Sequence, residues 1–216
     1  MKRRVISAAL ALCMMLTLLS GTALAAGQHP FTDVPQSHWA NEAVGYVYEN
    51  DLMNGVSATM FQPGGSLTRA MFVTILGRMA GAEEESGESG FADVPAGSWY
   101  APYVNWAAAN GIVNGTSATT FDPNTTISRQ DMAVILYNYT QHFGVQLDQK
   151  TVTAFTDEGS VAAYALPAVQ ALHRAGVING MPDGSFQPYA TATREQACIV
   201  PVSYTHLRAH ETDQYL

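Results

Sequence analysis

The feature that most constrains the fold of this chain is a sequence pattern that occurs three times. The three units begin with similar segments, FTDVP from Phe31, FADVP from Phe91 and FTDEG from Phe155. Near their ends stand three arginines, Arg69, Arg129 and Arg194. The phenylalanines are 60 and 64 residues apart and the arginines 60 and 65. Repeats of this kind have to be recognised first, because missing them leads to a wrong fold assignment.

Matched landmarks inside each unit argue against a chance repetition. The segments NDLMNG, NGIVNG and AGVING end at Gly55, Gly115 and Gly180. Six residues after each glycine comes a phenylalanine, and eight residues after that comes the arginine. Both offsets are the same in all three units, which indicates one local structure used three times.

Each unit is predicted to be a helix, a loop and a second helix. The first helix is expected to follow Ser37 or Ser98 as N-cap, because apolar residues recur there at helical spacing. Trp39 and Trp99 occupy equivalent places, and the third unit has Tyr164 there. An Asn-Gly or Ala-Gly pair would end the helix in a left-handed position. The second helices are expected to begin at Thr68, Ser128 and Thr193. The fold class predicted is all-α.

The proposed organisation is a leader, three repeats and a tail. Residues 1–25 have a basic start, an apolar run and an A-x-A site at Ala23-Leu24-Ala25, which is typical of a secretory signal peptide. A membrane anchor and a lipoprotein cysteine at Cys13 are the less favoured alternatives. The repeats are placed at 29–82, 89–143 and 152–202, and the tail at 203–216.

The third repeat is expected to break inside its second helix. Pro201 stands where Leu76 and Leu136 stand in the other repeats, and a proline inside a helix costs about 3 kcal/mol or more. Residues 203–216 have no counterpart in the other repeats, and our hypothesis is that they come from a sequencing or assembly artefact. His206 and His210 there have the spacing of a metal pair, but we predict no metal site.

Charge and cysteine content narrow the function classes. Residues 1–25 hold three of the 10 basic residues and none of the 18 acidic ones, so the chain without them carries −11 in place of −8. Nucleic-acid binding needs a basic surface and is not expected. No membrane span is expected after the leader. The remaining Cys198 has no cysteine to pair with.

The arginine at the start of each second helix needs an explanation. The helix dipole already makes that end positive, so helix stability alone would favour Asp or Glu. A bound anion would explain the arginine, because helix N–H groups and a guanidinium can grip a carboxylate together. Tryptophan and phenylalanine side chains would offer flat apolar faces to such a ligand. The alternative is a surface ion pair with Asp33 or Asp93. For Trp39 and Trp99 the alternative is packing in the core, and for Gly55 and Gly115 a role in turns.

The repeated aspartates do not indicate an enzyme. Asp33, Asp93 and Asp157 recur at the same place in each unit, whereas a glycosidase needs one pair of carboxylates in one cleft. They are better interpreted as residues that fix the turn before the first helix. No phosphate loop, metal cluster or Ser-His-Asp set is recognisable, and no cofactor is predicted.

The pattern FTDVP…W…NG…F-x-P…LTRA resembles the S-layer homology (SLH) domain over nearly all of residues 31–200. The resemblance implies a pseudo-threefold bundle of three repeats in a secreted protein at the cell surface. It implies binding of a peptidoglycan-linked secondary cell wall polysaccharide, often pyruvylated, in grooves between neighbouring repeats, where the motif arginine meets the acidic sugar. The carbohydrate-binding residues predicted are Arg69, Arg129, Arg194, Thr68, Ser128, Thr193, Trp39, Trp99, Asp33, Asp93, Gly55 and Gly115.

Departures from the family motif bear on that prediction. The fourth motif position, where the family usually has Glu, is Met71, Asp131 and Gln196 here, and binding residues are expected first in repeats one and two. Two other functions stay open: a surface-assembly subunit that acts through protein contacts, and the targeting module of an exoenzyme.

Overall fold

The computed structural model describes residues 28–82 and 90–213, with side chains through residue 205. The predicted signal peptide lies outside the described residues. Six α-helices and one short 3₁₀ helix, Glu158–Ser160, form the described part, which contains no β-strand. The all-α prediction is confirmed. The helices are α1 (Asn41–Glu49), α2 (Arg69–Met79), α3 (Ala101–Ala109), α4 (Arg129–His142), α5 (Leu166–Arg174) and α6 (Arg194–Asp213).

The second helix of each repeat begins as predicted. Thr68 Oγ1 accepts a hydrogen bond from the Met71 N–H at 3.2 Å, and Ser128 Oγ accepts one from the Asp131 N–H at 3.2 Å. At Thr193 the capping is reciprocal, because the Gln196 side chain also accepts from the Thr193 N–H at 3.2 Å. These bonds satisfy backbone donors that a helix start otherwise leaves without partners.

The first helices start later than predicted, and Ser37 and Ser98 are not their caps. Helix α1 begins at Asn41 and α3 at Ala101, with no side-chain cap at either start. The Asn41 and Ala101 N–H groups instead donate to the carbonyl oxygens of His38 and Ser98, both at 3.0 Å. A backbone turn therefore does the work expected of the serine side chains.

The predicted left-handed helix ends are present in all three repeats. Gly111 and Gly176 have φ angles of +67° and +73°. In the first repeat Asp51 takes that place with φ +54°. Asp is one of the few residues with a side chain that enters this region at modest cost.

The third repeat does not break at Pro201, so the prediction of an incomplete helix is wrong. Helix α6 continues through Pro201 to Asp213. Cys198 and Val200 on this helix are buried, and the Tyr204 ring packs edge-on against the Tyr139 ring with centroids 5.2 Å apart. Apolar packing on both sides of the proline offsets the hydrogen bond that it cannot donate.

The repeats form a closed ring in which each second helix packs on the first helix of the next repeat. Thus α2 packs on α3, α4 on α5, and α6 returns to α1. Three backbone hydrogen bonds form a triangle at the centre: Leu67 N–H to Ala192 O at 3.0 Å, Ala192 N–H to Ile127 O at 2.9 Å, and Ile127 N–H to Leu67 O at 2.9 Å. This triangle confirms the pseudo-threefold arrangement.

Candidate ligand-binding grooves

Each motif arginine reaches across to the following repeat and holds its loop. The guanidinium donates through Nε to a phenylalanine carbonyl and through Nη2 to an asparagine carbonyl, and its carbon lies over the ring of that phenylalanine. The Nε bonds are Arg69 to Phe121 at 2.9 Å, Arg129 to Phe186 at 2.7 Å and Arg194 to Phe61 at 2.9 Å. The Nη2 bonds run to Asn114 at 3.2 Å, Asn179 at 3.3 Å and Asn54 at 2.7 Å. The distances from guanidinium carbon to ring centroid are 4.8, 4.9 and 4.6 Å.

Two of the three motif arginines, Arg129 and Arg194, are buried cations, and Arg69 is half-buried. Arg129 and Arg194 expose only 7% and 6% of their surface, and burial lowers the pKa of all three guanidinium groups. Within the described part of the chain, none of them forms an ion pair. The alternative of a surface ion pair with Asp33 or Asp93 is therefore wrong. A buried charge with neutral partners alone is costly, and an anion reaching it would be attracted strongly.

The repeated aspartates bind the backbone of the loop in their own repeat. Asp33 accepts from the Phe61 and Gln62 N–H groups at 2.8 and 2.7 Å. Asp93 and Asp157 make the same pair of bonds in their repeats at 2.7–2.8 Å. Burial raises the pKa of Asp33 but its N–H donors outweigh that effect, so the pKa lies below its usual value. The aspartates fix a turn, but the turn they fix precedes the second helix and not the first.

The motif glycines are required by close packing. A Cβ on Gly55 would overlap the Phe31 ring and the Ser57 carbonyl oxygen, and one on Gly115 would overlap the Ser117 and Thr120 carbonyl oxygens. The loop can pass this point only without a side chain. Both glycines are thus structural, and Gly115 also lines a groove.

Two grooves of similar construction open beside these arginines, and each takes residues from all three repeats. Groove 1 has a volume of about 500 Å³, and groove 2 one of about 650 Å³. The sequence resemblance implied grooves formed by two neighbouring repeats. In both grooves the remaining repeat also contributes, through an aromatic side chain. The residues lining groove 1 include Arg69, Asn114, Gly115, Thr116, Asp131, Asn138 and Tyr164. The counterparts in groove 2 of all but Asn138 are Arg129, Asn179, Gly180, Met181, Gln196 and Trp39.

The aromatic residues at the start of each repeat are exposed. Trp39 is 63%, Trp99 57% and Tyr164 61% exposed. The interpretation of the tryptophans as core residues is therefore wrong. Phe61, Phe121 and Phe186 are buried beneath the guanidinium groups, so they cannot serve as open faces for sugar rings. Among the described residues that line the grooves, Trp39 in groove 2 and Tyr164 in groove 1 are the exposed aromatic side chains that offer such a face.

The helix N–H groups expected to help hold an anion are already bonded. The Arg69 and Ala70 N–H groups donate to the carbonyl oxygens of Thr125 and Pro123, each at 3.0 Å. The second helices of repeats two and three donate in the same way at 2.9–3.0 Å, from Arg129, Gln130, Arg194 and Glu195 to Ala190, Pro188, Gly65 and Pro63. The guanidinium itself is what remains for a ligand. Nε and one N–H of Nη2 already donate to carbonyl oxygens. The N–H groups left for a ligand are those of Nη1 and the second one of Nη2.

Sequence reasoning did not identify the pairing of Tyr164 with Asp131 in groove 1. The Tyr164 hydroxyl donates to Asp131 Oδ1 at 2.6 Å and accepts from Gln130 Nε2 at 3.2 Å. Burial and the Asp131 carboxylate raise the pKa of Tyr164 to about 12. The signal was present in two separate observations, the unusual Asp131 and the tyrosine at a tryptophan position, but only the ring arrangement brings them together.

The described residues also bear on metal binding and on membrane insertion. The described residues hold no cluster of His, Cys, Asp or Glu suited to a metal ion. The side chains of His206 and His210 lie outside the described residues. No helix in the described ranges is long and apolar enough to cross a membrane.

Comparison with known proteins agrees with the threefold architecture. The model of the S-layer homology domain matches residues 30–71, 90–133 and 154–198. The chain belongs to the S-layer homology family. As an SLH protein it is a cell-surface, cell-wall-associated anchoring module, and domains of this family bind cell wall polysaccharides.

Similar proteins include surface-layer proteins and enzymes. The chain is 38% identical to the surface-layer 125 kDa protein of Lysinibacillus sphaericus over 76% of the chain and 14% of that protein. It is 33% identical to an endoglucanase of Bacillus sp. (strain KSM-635) over 79% of the chain and 18% of that protein. It is 29% identical to the S-layer protein sap of Bacillus anthracis over 90% of the chain and 23% of that protein. The SLH chain thus spans less than a quarter of these relatives.

Proposed function

We propose that this SLH chain attaches a secreted protein non-covalently to the bacterial envelope by binding secondary cell wall polysaccharide in grooves 1 and 2. The carrying observation is that each groove places a guanidinium, buried at Arg129 and half-buried at Arg69, beside an exposed aromatic ring, and that neither guanidinium forms an ion pair within the described part of the chain. The ring offers a sugar its apolar face, and the guanidinium offers it hydrogen bonds.

The ligand proposed is an anionic, pyruvylated glycan. The pyruvate ketal carries a carboxylate for the free edge of the guanidinium and a methyl group for the apolar wall of the groove. Because the chain as a whole is acidic, attraction to such a polymer must be local, and moderate salt should weaken the binding.

The module is proposed to be non-catalytic. Both carboxylate oxygens accept hydrogen bonds from backbone N–H groups in Asp33, Asp93 and Asp157. Among the described residues, no pair of carboxylates lines either groove, so neither has the arrangement that glycoside hydrolysis requires. The similar proteins include an endoglucanase and S-layer proteins, so the protein that the module attaches can be an enzyme or a surface-layer protein.

Co-sedimentation with Gram-positive-type cell wall sacculi tests this function. The secreted chain is mixed with intact sacculi and with sacculi stripped of covalently attached polysaccharide. The variants are Arg129→Ala, which loses the cation, and Trp39→Ala, which loses an exposed ring. Val152→Ala, an exposed apolar residue that lines neither groove, is the control.

Pelleting with intact sacculi alone, lost in Trp39→Ala and retained in Val152→Ala, is the result expected. Because Arg129 also joins two repeats, thermal unfolding of each variant is measured alongside. Pelleting that survives the stripping would move the function to peptidoglycan or protein contacts. Self-assembly of the chain at micromolar concentration without polysaccharide would favour a surface-assembly subunit.

A further inference from the structure

We propose that the two grooves select different sugar residues, an acidic one in groove 2 and an uncharged one in groove 1, with Gln196 and Asp131 setting the difference. This inference rests on the proposed function, because it assumes that both grooves hold sugars.

Asp131 and Gln196 occupy equivalent places in the two grooves. Each is the third residue of a second helix, and each lines a groove together with the arginine of the preceding repeat. Arg69 shares groove 1 with Asp131, and Arg129 shares groove 2 with Gln196. The same structural position thus carries a negative charge in one groove and a neutral amide in the other.

The Asp131 carboxylate is held in place by two hydrogen bonds. Its Oδ1 accepts from the Tyr164 hydroxyl and its Oδ2 from the Ser128 hydroxyl, both at 2.6 Å. Groove 1 therefore presents a fixed negative charge on its wall.

That charge already partly neutralises Arg69. Burial lowers the pKa of Arg69, and among the nearby charges that oppose this effect Asp131 is the largest, followed by Asp122. Arg69 and Asp131 nevertheless form no ion pair across the groove. A sugar hydroxyl fits between them, since it can accept from the guanidinium and donate to the carboxylate. A carboxylate there would be repelled by Asp131.

Groove 2 differs because the carboxylate that opposes the effect of burial on the pKa of Arg129 is Asp157, which does not line the groove. Among the described residues, Arg129 is the one charged side chain that lines it. The Gln196 Oε1 atom accepts from the Thr193 N–H, which leaves the Nε2 donor group without a hydrogen-bond partner in the described part of the chain. Glu195, next in sequence, is paired with His38 at 3.5 Å. Two donors, a buried guanidinium and an amide, thus serve groove 2 with no carboxylate on its wall.

The walls of groove 2 also suit an acid that carries an alkyl group. Met181 and Pro182 line it where Thr116 and Ser117 follow the glycine of the second repeat, and Met132 lies nearby. An apolar wall makes the field of Arg129 stronger and gives a methyl substituent a place to pack. Groove 1 has the more polar Asn138 and Thr116 on its walls.

Amide chemical shifts of two glycines can report on the grooves separately. Gly115 lines groove 1 and Gly180 lines groove 2. The secreted chain, labelled with ¹⁵N, is titrated with a methyl hexopyranoside that carries a 4,6-pyruvate ketal, and with the uncharged methyl ester of the same compound. The variants are Asp131→Asn and Gln196→Glu, which exchange charge at nearly constant shape.

The acid is expected to shift the amide signal of Gly180 at a concentration at least about tenfold lower than it shifts that of Gly115. The reason is the one fixed negative charge close to the ligand in groove 1. The ester should lose this preference. Asp131→Asn should bring acid binding at Gly115 about tenfold closer to that at Gly180, and Gln196→Glu should weaken it at Gly180 by a similar factor.

Equal affinity of the acid at both glycines, unchanged by Asp131→Asn, would overturn the inference while polysaccharide-dependent pelleting upheld the proposed function. The same holds if the acid shifts neither glycine but the chain still pellets. Loss of pelleting together with loss of both shifts would remove the proposed function itself. Unchanged shifts elsewhere in the spectrum show that each variant is folded.

Discussion

Arg194 donates from Nη2 to the Asn54 carbonyl oxygen at 2.7 Å, across 140 residues of sequence. This bond joins the last repeat to the first and completes the ring that α6 forms with α1. The motif arginine is therefore a structural tie between repeats, and only its remaining edge is open to a ligand.

Arg194→Ala should destabilise the whole domain. The change removes two hydrogen bonds that a buried cation donates, and it leaves the Phe61 and Asn54 carbonyl oxygens without these donors. The free energy of unfolding is therefore expected to fall by about 2–4 kcal/mol. Urea unfolding measures the loss. Arg174→Ala, at an exposed arginine, should change stability by less than about 0.5 kcal/mol. Equal midpoints for the two variants would show that the tie is not needed.

Asp33 should make stability depend on pH in the acid range. Its folded-state pKa lies below the unfolded value of 3.8, so its contribution is complete above that value and disappears as pH falls through the lower folded pKa. Asp33→Asn should be less stable than the parent at pH 6, and the gap should narrow below about pH 4. Unfolding free energies across pH 2–7 check this. A gap that stays constant with pH would contradict it.

Gly115→Ala should be costly and Gly97→Ala should not. The first places a methyl group against two backbone carbonyls that cannot move aside without opening the loop, and a loss of about 2 kcal/mol or more is expected. The second meets open space within 4 Å. Thermal unfolding of both variants makes the comparison. Similar melting temperatures would show that the loop relaxes freely around position 115.

Pro201→Ala should stabilise the chain. Alanine restores the N–H donor that the helix lacks at this position and relieves the steric conflict that proline generally has with the preceding turn, for a gain of about 1–2 kcal/mol after the packing of the buried ring is lost. Pro201→Leu, the residue of the other two repeats, separates the backbone effect from apolar filling. Chemical denaturation measures both variants. A loss of stability in both would show that the surrounding core is shaped to the proline.

The sequence predicted the parts of the fold that depend on local chemistry. Thr68 and Ser128 cap their helices because a hydroxyl can reach a nearby N–H, and this follows from sequence spacing. The closure of each loop on Asp33 and its equivalents was only partly foreseen, because the bonded N–H groups lie 28 and 29 residues away.

The composition of grooves 1 and 2 depends on contacts between different repeats, which no local sequence pattern reveals. Which repeat receives Arg69, and which aromatic ring faces it, is decided by the order of helices around the ring. Tyr164 could be aligned with Trp39, but its contact with Asp131 joins two repeats and appears only in three dimensions. The reach of α6 past Pro201 was missed because the local cost of proline was visible and the packing of Tyr204 was not.

The return of α6 to α1 sets the order in which this chain can fold. Helix α1 packs on a helix that begins only at Arg194, so α1 cannot complete its packing until the third repeat has been synthesised. Contacts so distant in sequence slow the search for the native state, because a long loop must close before they form. During synthesis, the ring of three repeats can therefore close only after the third repeat has been made.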